Sequence, residues 1–560
     1  MRKQVRSCVL IVLAALWAAL PGQAQTQPPR IFFTDLESGP SAGGENNNGA
    51  ILSIYGNFFG STQGSSTVTV GGGAVAAYKL WSNTRISVAI GPAAASGNII
   101  VTVGGLRSNA MPFAVRPGNI YCVSTSGSDS NPGTFVGGCW ATLLKARDAT
   151  ATGDIVYVRN GVAQTGNDGS GWHTSMLIRN GGSAGTPKAM VVYPGESATI
   201  GDPTGANDIL YGVRTTADSG SNPGYYVLAG FKLRGRVSGI QGGQANNYRV
   251  IANEIECPNG DGPDGCVEVS GSNYWSFYGN EVTNVSTNLG SGSGKQYHAV
   301  YFTTDSNHID VGWNHIHDNR TCRALQFHSS PVGGSSGQNQ YDLHVHDNLI
   351  HGDACDGINF ATIDPSKGPV EAYNNVIYDV GIGPSPPDGD ANYAGIYFAG
   401  TANNGPHGSG TAEVYNNSFY TVGTHPGAYG DNGAIAVNPA NGSVRLRNNV
   451  FYTSGPYLEH NSGGIVCDTN LWYGNGGSPA ACSTNAINKD PLYAGAATGN
   501  LSVLVGSPVI DAGLNLGLAT DYAGVLRPQG VAYDLGAFEF PGSVTVQKLN
   551  PPRNLRVVVQ

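Results

Sequence analysis

Hydrophobic and polar positions alternate in short runs along most of this chain, and Gly or Asn residues separate the runs. One kind of run recurs as "CVEVS" (266–270), "AVYFT" (299–303), "ALQFH" (324–328), "GINFA" (357–361), "GIYFA" (395–399), "AIAVN" (434–438) and "GIVCD" (464–468). Alternation with a period of two is typical of β-strands that bury one face. We predict an inward column of Val267, Val300, Leu325, Ile358, Ile396, Ile435 and Ile465. We predict an outward column of Glu268, Tyr301, Gln326, Asn359, Tyr397, Ala436 and Val466.

A second repeat is built on Asn followed two residues later by an apolar residue. It reads "NEIE" (253), "NEVT" (280), "NHIH" (314), "NLIH" (348), "NVIY" (375), "NSFY" (417) and "NVFY" (449). By subtraction, successive Asn residues lie 27, 34, 34, 27, 42 and 32 positions apart, which excludes a solenoid of fixed repeat length. A β-helix tolerates such variation when one turn of each coil accepts insertions. We therefore predict coils of three strands, with the Asn side chains stacked at the second turn.

Composition narrows the class of protein. Of 560 residues only 12% are charged, 82 are Gly, and the formal net charge is −9. These values are typical of an all-β extracellular protein and argue against coiled coil and charge-driven disorder. Without a basic block, nucleic acid is not an expected partner. A local Arg, Lys or His cluster remains compatible with an acidic polysaccharide.

The first residues predict export. Residues 1–24 combine a basic start, an apolar run and a small-residue cleavage site, as a signal peptide does. We expect a secreted, cell-surface or periplasmic monomer with no later membrane span. Eight of the nine Cys residues lie beyond this segment, and an even number in an exported chain indicates disulfides. Local pairing predicts Cys122–Cys139, Cys257–Cys266 and Cys467–Cys482, and stacking of adjacent coils predicts Cys322–Cys355.

Two stretches resemble known families. Residues 28–116, with "SIYGNFFG" (53–60), "VTVGG" (68–72) and "GNIIVTVGGLRSNAMPFAV" (97–115), resemble IPT/TIG immunoglobulin-like domains. Residues 119–540 resemble secreted bacterial right-handed parallel β-helix proteins of the pectate-lyase-like superfamily. The matching segments are "IYCVSTSGSDSNPGT" (120–134), "GSPVIDAG" (506–513) and "DLGAFEF" (534–540). The resemblance implies an Ig-like β-sandwich followed by a three-stranded-coil β-helix, with 541–560 as a tail or linker.

The outward column predicts a site in the middle coils. The resemblance to pectate-lyase-like proteins implies that their cleft lies on the strand that follows the variable loop. The residues expected to be catalytic are His298, Tyr301, Arg323, His328 and Asp356. The residues expected to bind substrate are Glu268, Lys295, Arg320, Gln326, Asn359, Asp388, Asp390 and Tyr397.

Three functions fit these residues. A polysaccharide lyase acting by β-elimination on a uronic acid needs a cation, a base and an acid. Arg323 would be the cation, with Arg320 beside it; His298, His328 or Lys295 would be the base; and Tyr301 would be the acid. A glycoside hydrolase needs two nearby carboxylates, for which Asp356 with Asp388 or Asp390 is the better pair. The third possibility is a non-catalytic surface or carbohydrate-binding protein.

No cofactor is required by the sequence, although two groups of residues suggest metal binding. Asp261, Asp264 and Glu268, around "NGDGPDG" (259–265), offer hard oxygen ligands for calcium without the spacing of an EF-hand loop. His315, His317 and His351 would stack by the Asn turn and hold a metal through nitrogen. Polar ladders without metal are the alternative explanation for both groups.

Overall fold

The computed structural model describes most of the chain between residues 27 and 541. The described ranges are 27–216, 221–289, 294–329, 340–387, 389, 391–398, 410–426, 432–437, 443–453, 455–460, 464–475 and 482–541. The predicted signal peptide, most of the predicted tail, Asp388 and Asp390 lie outside these ranges. Within the described ranges no helix is both long enough and apolar enough to cross a membrane.

The first unit, the N-terminal sandwich, consists of two sheets. Its strand Thr67–Val70 illustrates the pattern, because Val68 and Val70 are buried while Thr67 is exposed. One sheet has the order Arg30–Thr34, Ile51–Asn57, Arg85–Ala89, Ala77–Trp81. The other has the order Ser38–Gly39, Met111–Val115, Gly97–Val103, Thr67–Val70, Gly73–Ala74, and Leu106–Arg107 also pairs with Gly97–Val103.

The rest of the chain winds into a parallel β-helix. The described residues form three long parallel sheets of 13, 11 and 10 strands, and each coil contributes one strand to each sheet in turn. This architecture confirms the predicted all-β fold class. The 13-stranded sheet contains Ile120–Val123, Ile155–Val158, Lys188–Val192, Tyr226–Ala229, Tyr248–Ile251, Trp275–Tyr278, Ile309–Gly312, Leu343–His346, Val370–Tyr373, Thr411–Tyr415, Ser443–Arg447, Ile465–Asp468 and Ser483–Thr484.

The other two sheets complete the coils. The 11-stranded sheet contains Ala163–Gln164, Thr199–Ile200, Lys232–Arg234, Glu254–Glu256, Glu281–Thr283, His315–His317, Leu349–His351, Val376–Val380, Ser418–Val422, Val450–Tyr452 and Leu471–Tyr473. The 10-stranded sheet contains Thr174–Ile178, Tyr211–Thr215, Ser238–Gly243, Gly265–Ser270, His298–Thr303, Arg323–His328, Asp356–Phe360, Tyr393–Phe398, Asn432–Val437 and Leu458–His460.

A few elements lie outside these sheets. The α-helix Leu143–Ala149 begins where the Thr142 side chain accepts a hydrogen bond from the Lys145 N–H, and it buries Leu143 and Ala146 at the first coils. An antiparallel pair, Tyr493–Gly495 and Asn500–Val503, follows the last coil. Short 3₁₀ helices cover Glu45–Asn47, Ala206–Asp208, Thr287–Leu289 and Ala496–Thr498.

The inward column of the 10-stranded sheet is confirmed except at its last position. Val267, Val300, Leu325, Ile358, Ile396 and Ile435 are in register and fully buried. The prediction for Ile465 is wrong, because Ile465–Asp468 belongs to the 13-stranded sheet. For the same reason Val466 is not part of the outward column. The 10-stranded sheet instead ends with Leu458–His460. Alternation identifies a strand with one buried face, but it does not say which sheet the strand joins.

The predicted Asn ladder is present. The ladder begins at Asn253, and from Asn280 to Asn449 the side-chain oxygen of each Asn accepts from the backbone N–H and side-chain amide of the preceding ladder Asn, at 2.9–3.1 Å. Asn470 extends the ladder by one coil. The ladder matters because it satisfies backbone groups that the tight turn removes from water.

Two segments cover the outside of the β-helix. The N-terminal sandwich packs on the 13-stranded sheet, where Phe32 and Phe33 contact Trp313 with ring centroids 5.7 and 5.3 Å apart. Gly279 has φ +63° and lies against Phe33, where a side chain would collide with the ring. The closing segment, residues 490–541, covers the later coils of the 11-stranded sheet. Its backbone accepts hydrogen bonds from Asn374, Asn416 and Asn448, each of which directly precedes a ladder Asn.

All four predicted disulfides are present: Cys122–Cys139, Cys257–Cys266, Cys322–Cys355 and Cys467–Cys482. Cys322 and Cys355 lie in adjacent coils with their Cα atoms 4.8 Å apart. This bond joins the two turns that lead into Arg323 and Asp356. It therefore restrains the coil edges beside the predicted site.

Candidate functional site

The outward column on the 10-stranded sheet is continuous and longer than the sequence predicted. Arg214, Gln241, Glu268, Tyr301, Gln326, Asn359 and Tyr397 lie side by side in register. Tyr301, Gln326, Asn359 and Tyr397 are only 8, 6, 1 and 3% exposed. These values exclude a simple solvated face for the middle coils, because polar side chains that leave water need partners.

Tyr301 and two histidines form the centre of the column. The Tyr301 hydroxyl and His328 Nδ1 are 3.1 Å apart and share a hydrogen bond. The His298 ring meets the Tyr301 ring edge to face, with centroids 4.5 Å apart. His298 is almost fully buried, whereas His328 is half-buried. The fold thus brings a phenol and two imidazoles together from two adjacent strands.

Arg323 lies between His298 and Asp356 of the neighbouring strands, as the sequence predicted. Its Nε is 3.6 Å from the Asp356 carboxylate, and its guanidinium also donates to the Lys295 carbonyl. The Asp356 carboxylate accepts from the Asn359 amide at 2.6 Å and from a backbone N–H at 3.0 Å. Asp356 is fully buried, so this set holds Arg323 in a fixed position.

Burial sets the protonation of the central groups. Desolvation, together with the nearby Arg323 and His328, holds the pKa of His298 well below its usual value, so its imidazole is neutral. Desolvation also raises the pKa of Tyr301, which keeps its hydroxyl protonated. The fold therefore places a neutral imidazole and a protonated phenol beside the Arg323 guanidinium.

Some buried polar atoms in and beside the column have no hydrogen-bond partner within the described residues, although Arg323 Nε still faces the Asp356 carboxylate at 3.6 Å. They include three atoms of the middle coils, Gln326 Oε1, Asn359 Oδ1 and Arg323 Nε. Buried polar atoms in folded proteins are nearly always hydrogen-bonded, and exceptions concentrate where water or a ligand completes the set. The three atoms come from adjacent strands and are compatible with a hydroxyl-rich ligand.

Glu268 begins a second polar cluster, towards the earlier coils. Its carboxylate accepts from the Gln241 amide at 2.9 Å. Desolvation, reinforced by Asp264, raises the pKa of Glu268 to about 7. Next to it, the Arg214 guanidinium lies over the rings of Trp172 and Tyr211, 4.6 Å from each centroid.

Sequence reasoning missed this extension. The missed residues lie before the first Asn repeat, and they are Trp172, Tyr211, Arg214 and Gln241. The predicted column begins only at Glu268. The signal was available, because "YGVRT" (211–215) and "GIQGG" (239–243) place Arg214 and Gln241 in the frame of Glu268. Trp172 could not be found in this way, because it lies in a loop and reaches the column only in the folded chain.

A cleft opens among the loops that precede strands of the 10-stranded sheet. It has a volume of about 340 Å³ and is lined by Asp261, Gly262, Pro263, Gly294, Gln296 and Pro387. Lys295 is half-buried at its edge, and its Nζ lies close to Gly389. The cleft thus lies between the loops that precede the strands of Glu268 and Tyr301.

The remaining predicted residues have different surroundings. Tyr397 packs with Ala361, Ala394 and Ala436 at the later end of the column. Arg320 is exposed, and its backbone N–H donates to Val285. Among the described residues, no hydrogen bond or ion pair joins the Arg320 side chain to the column. Asp388 and Asp390 lie outside the described ranges.

The two predicted metal groups differ. Asp264 interacts with Glu268, but among the described residues Asp261, Asp264 and Glu268 do not bring three ligand atoms within 4.8 Å. In the other group, one nitrogen each of His315, His317 and His351 lies within 4.8 Å of the others. The geometry therefore favours the histidine group over the calcium candidates.

Comparison with known protein families identifies the N-terminal unit. Residues 37–115 match the family model of the IPT/TIG domain. The N-terminal sandwich is an IPT/TIG domain. The contacts of Phe32 and Phe33 with Trp313 therefore join an IPT/TIG domain to a β-helix. No curated protein sequence matches the chain.

The chain is similar to several solved structures at low sequence identity. A crystal structure of pectate lyase Pel9A is 14% identical with a TM-score of 0.50, covering 76% of this chain and 96% of its own. A rhamnogalacturonan lyase is 16% identical with a TM-score of 0.38, covering 66% and 85%. XylC in complex with xylose is 11% identical with a TM-score of 0.41, covering 75% and 98%. The similarity to Pel9A supports the β-helix fold.

Proposed function

We propose that the protein is an exported carbohydrate-active enzyme that cleaves an acidic, uronate-containing polysaccharide by β-elimination. The observation that carries the proposal is the hydrogen bond between Tyr301 and His328, beside a fixed Arg323. Together they supply the acid, the base and the cation that this reaction needs. The four disulfides support an oxidising location outside the cytoplasm.

Each group has one role in the reaction. Arg323 binds the uronate carboxylate and makes the C5 proton more acidic. His328 removes that proton, the electron pair forms the C4–C5 double bond, and the C4–O bond breaks. Tyr301 donates its proton to the departing oxygen. Transfer of the proton from His328 to Tyr301 through their hydrogen bond then restores both groups.

His328 is a better base than His298. Both rings lie next to Tyr301, but the low pKa of His298 makes it a weak proton acceptor. His298 is also almost fully buried, whereas the His328 side chain is half-buried. We assign His298 the role of orienting Tyr301 by ring contact.

The column is long enough for an oligosaccharide. From Arg214 to Tyr397 it crosses six strand spacings, or roughly 29 Å at about 4.8 Å each. The Trp172 and Tyr211 rings offer apolar faces for sugar stacking at one end. The partner that fits is therefore a chain of sugars rather than a monosaccharide.

One assay tests the reaction type. The protein is incubated with a panel of uronate-containing and neutral polysaccharides, with and without EDTA, and the ultraviolet absorbance of unsaturated products is followed. We expect absorbance to rise with a uronate polysaccharide. Tyr301→Phe and Arg323→Ala should each reduce turnover at least about a hundredfold. Tyr452→Phe, on the 11-stranded sheet, is the matched control and should retain activity.

A glycoside hydrolase is the second candidate, favoured by the raised pKa of Glu268. A carboxyl group with a pKa of about 7 is suited to be a general acid. Its distance from Asp356, three strands away and roughly 14 Å by strand spacing, is too long for a hydrolytic pair. New reducing ends without ultraviolet absorbance would support this candidate, and binding without any product would support a carbohydrate-binding protein.

A further inference from the structure

Three histidines meet on the 11-stranded sheet, away from the polar column. His317 and His351 are direct neighbours on the strands His315–His317 and Leu349–His351. His315 lies two residues before His317 and therefore on the same outward face. All three side chains are half-buried. The stacking of consecutive coils is thus enough to gather the three imidazoles.

The distances between the nitrogens suit a metal ion. His315 Nε2 and His351 Nε2 are 2.9 Å apart, and one nitrogen from each histidine lies within 4.8 Å of the others. Two nitrogens bound to one tetrahedral zinc at about 2.05 Å are separated by about 3.3 Å. Small side-chain rotations would therefore bring all three to bonding distance of one ion.

Carboxylates surround this group. Glu281 Oε1 is 3.2 Å from His317 Nε2, and Asp318 Oδ2 is 2.9 Å from His317 Nδ1. A carboxylate that accepts from the second nitrogen of a ligand histidine orients the ring and strengthens its metal binding. Glu281 is also the direct neighbour of His315 in the sheet, so it can provide a fourth ligand.

We infer that His315, His317 and His351, with Glu281, form a binding site for one zinc-type divalent transition-metal ion. Imidazole nitrogen favours zinc, copper and nickel over calcium and magnesium. The ligands come from strands of consecutive coils, so the ion would link those coils. The site is independent of the proposed polysaccharide cleavage.

The experiment measures zinc content of the full-length chain. The protein is treated with EDTA, dialysed against zinc, freed of excess metal and analysed for zinc by mass spectrometry. We expect about one zinc per chain. His315→Gln and His351→Gln should each weaken binding at least about tenfold in a titration. His308→Gln is the matched control, because His308 pairs with Asp342 just before two neighbouring strands of the 13-stranded sheet.

Cobalt gives a second readout. Co²⁺ bound by several imidazoles should produce visible absorption bands that zinc displaces. If circular dichroism shows that a histidine variant does not fold, Glu281→Gln, at the edge of the group, provides the test. We expect this variant to bind zinc with lower affinity. Wild-type protein that retains no zinc, or a His308→Gln variant that loses as much zinc as His351→Gln, would overturn the inference.

Discussion

Removing one member of the Asn ladder should destabilise the β-helix strongly, and Asn348 is the best test. Its Oδ1 accepts from the backbone N–H and the amide of Asn314, each at 3.0 Å. Its Nδ2 donates to the Val311 carbonyl at 2.9 Å and to Asn375 Oδ1 at 3.0 Å. Asn348 is fully buried, so water cannot replace these bonds.

The magnitude follows from these four hydrogen bonds. Asn348→Ala removes all of them and leaves the Asn314 backbone N–H without its acceptor. Each lost bond contributes about 1 kcal/mol, and an orphaned buried group costs about 1–3 kcal/mol. We expect the free energy of unfolding to fall by about 5–7 kcal/mol, measured from the shift of the guanidinium unfolding midpoint.

Asn348→Asp separates hydrogen bonding from side-chain shape. The carboxylate keeps the shape and the accepting oxygen, but it cannot donate to Val311 or Asn375. A buried carboxylate without a cation has a raised pKa, so the folded state favours its protonated form. Its penalty should therefore be small near pH 4 and grow as the pH rises.

The control is Asn246→Ala. Asn246 is exposed, and its side chain accepts one hydrogen bond, from the Asn273 backbone N–H at 2.7 Å. Its loss should cost less than about 1 kcal/mol. An Asn348→Ala variant that unfolds at the same guanidinium concentration as Asn246→Ala would refute the view that the ladder stabilises the coils.

Three further predictions concern protonation and binding. Burial lowers the pKa of His346, but contacts with Asp310 and Asp347 outweigh it and raise the pKa to about 10. The stability that protonated His346 adds is complete below about pH 6.5 and is lost as the pH rises towards 10. His346→Gln should flatten that decline in thermal scans from pH 7 to 10, and an unchanged slope would contradict the assignment. Glu268→Gln should raise the melting temperature at pH 8 and leave it unchanged at pH 4, because the raised pKa means that ionised Glu268 destabilises the folded state. Trp172→Ala should weaken oligosaccharide binding about tenfold with unchanged melting temperature, and equal affinity in calorimetry would remove Trp172 from the binding surface.

Much of the fold could be predicted because its determinants are local and repeated. The period-two alternation predicted the inward column, from Val267 to Ile435, since each strand places alternate residues on opposite faces. The recurrence of Asn predicted the ladder, since each Asn occupies the same turn of successive coils. Both patterns also placed Arg323 between His298 and Asp356 and predicted the Cys322–Cys355 disulfide.

The candidate site was only partly predictable. The sequence placed Tyr301 and His328 on neighbouring strands, but their hydrogen bond depends on side-chain orientations that alternation does not specify. The sequence also predicted that the column faces outward, but it did not predict how much of each side chain is exposed. The depressed pKa of His298 and the raised pKa of Glu268 follow from burial in the folded chain, which no local pattern reports.

By itself, the sequence determined that this chain forms coils, which residues line their interior, and which polar residues stack in register. Only the tertiary structure decided what lies against each outer face. Asn374, Asn416 and Asn448 look like turn residues in the sequence, yet they bind the closing segment more than 60 residues further along the chain. Trp172 reaches Arg214 in the same way, from a separate loop. Local periodicity follows from strand geometry, whereas contacts between distant segments depend on the shape of the whole chain.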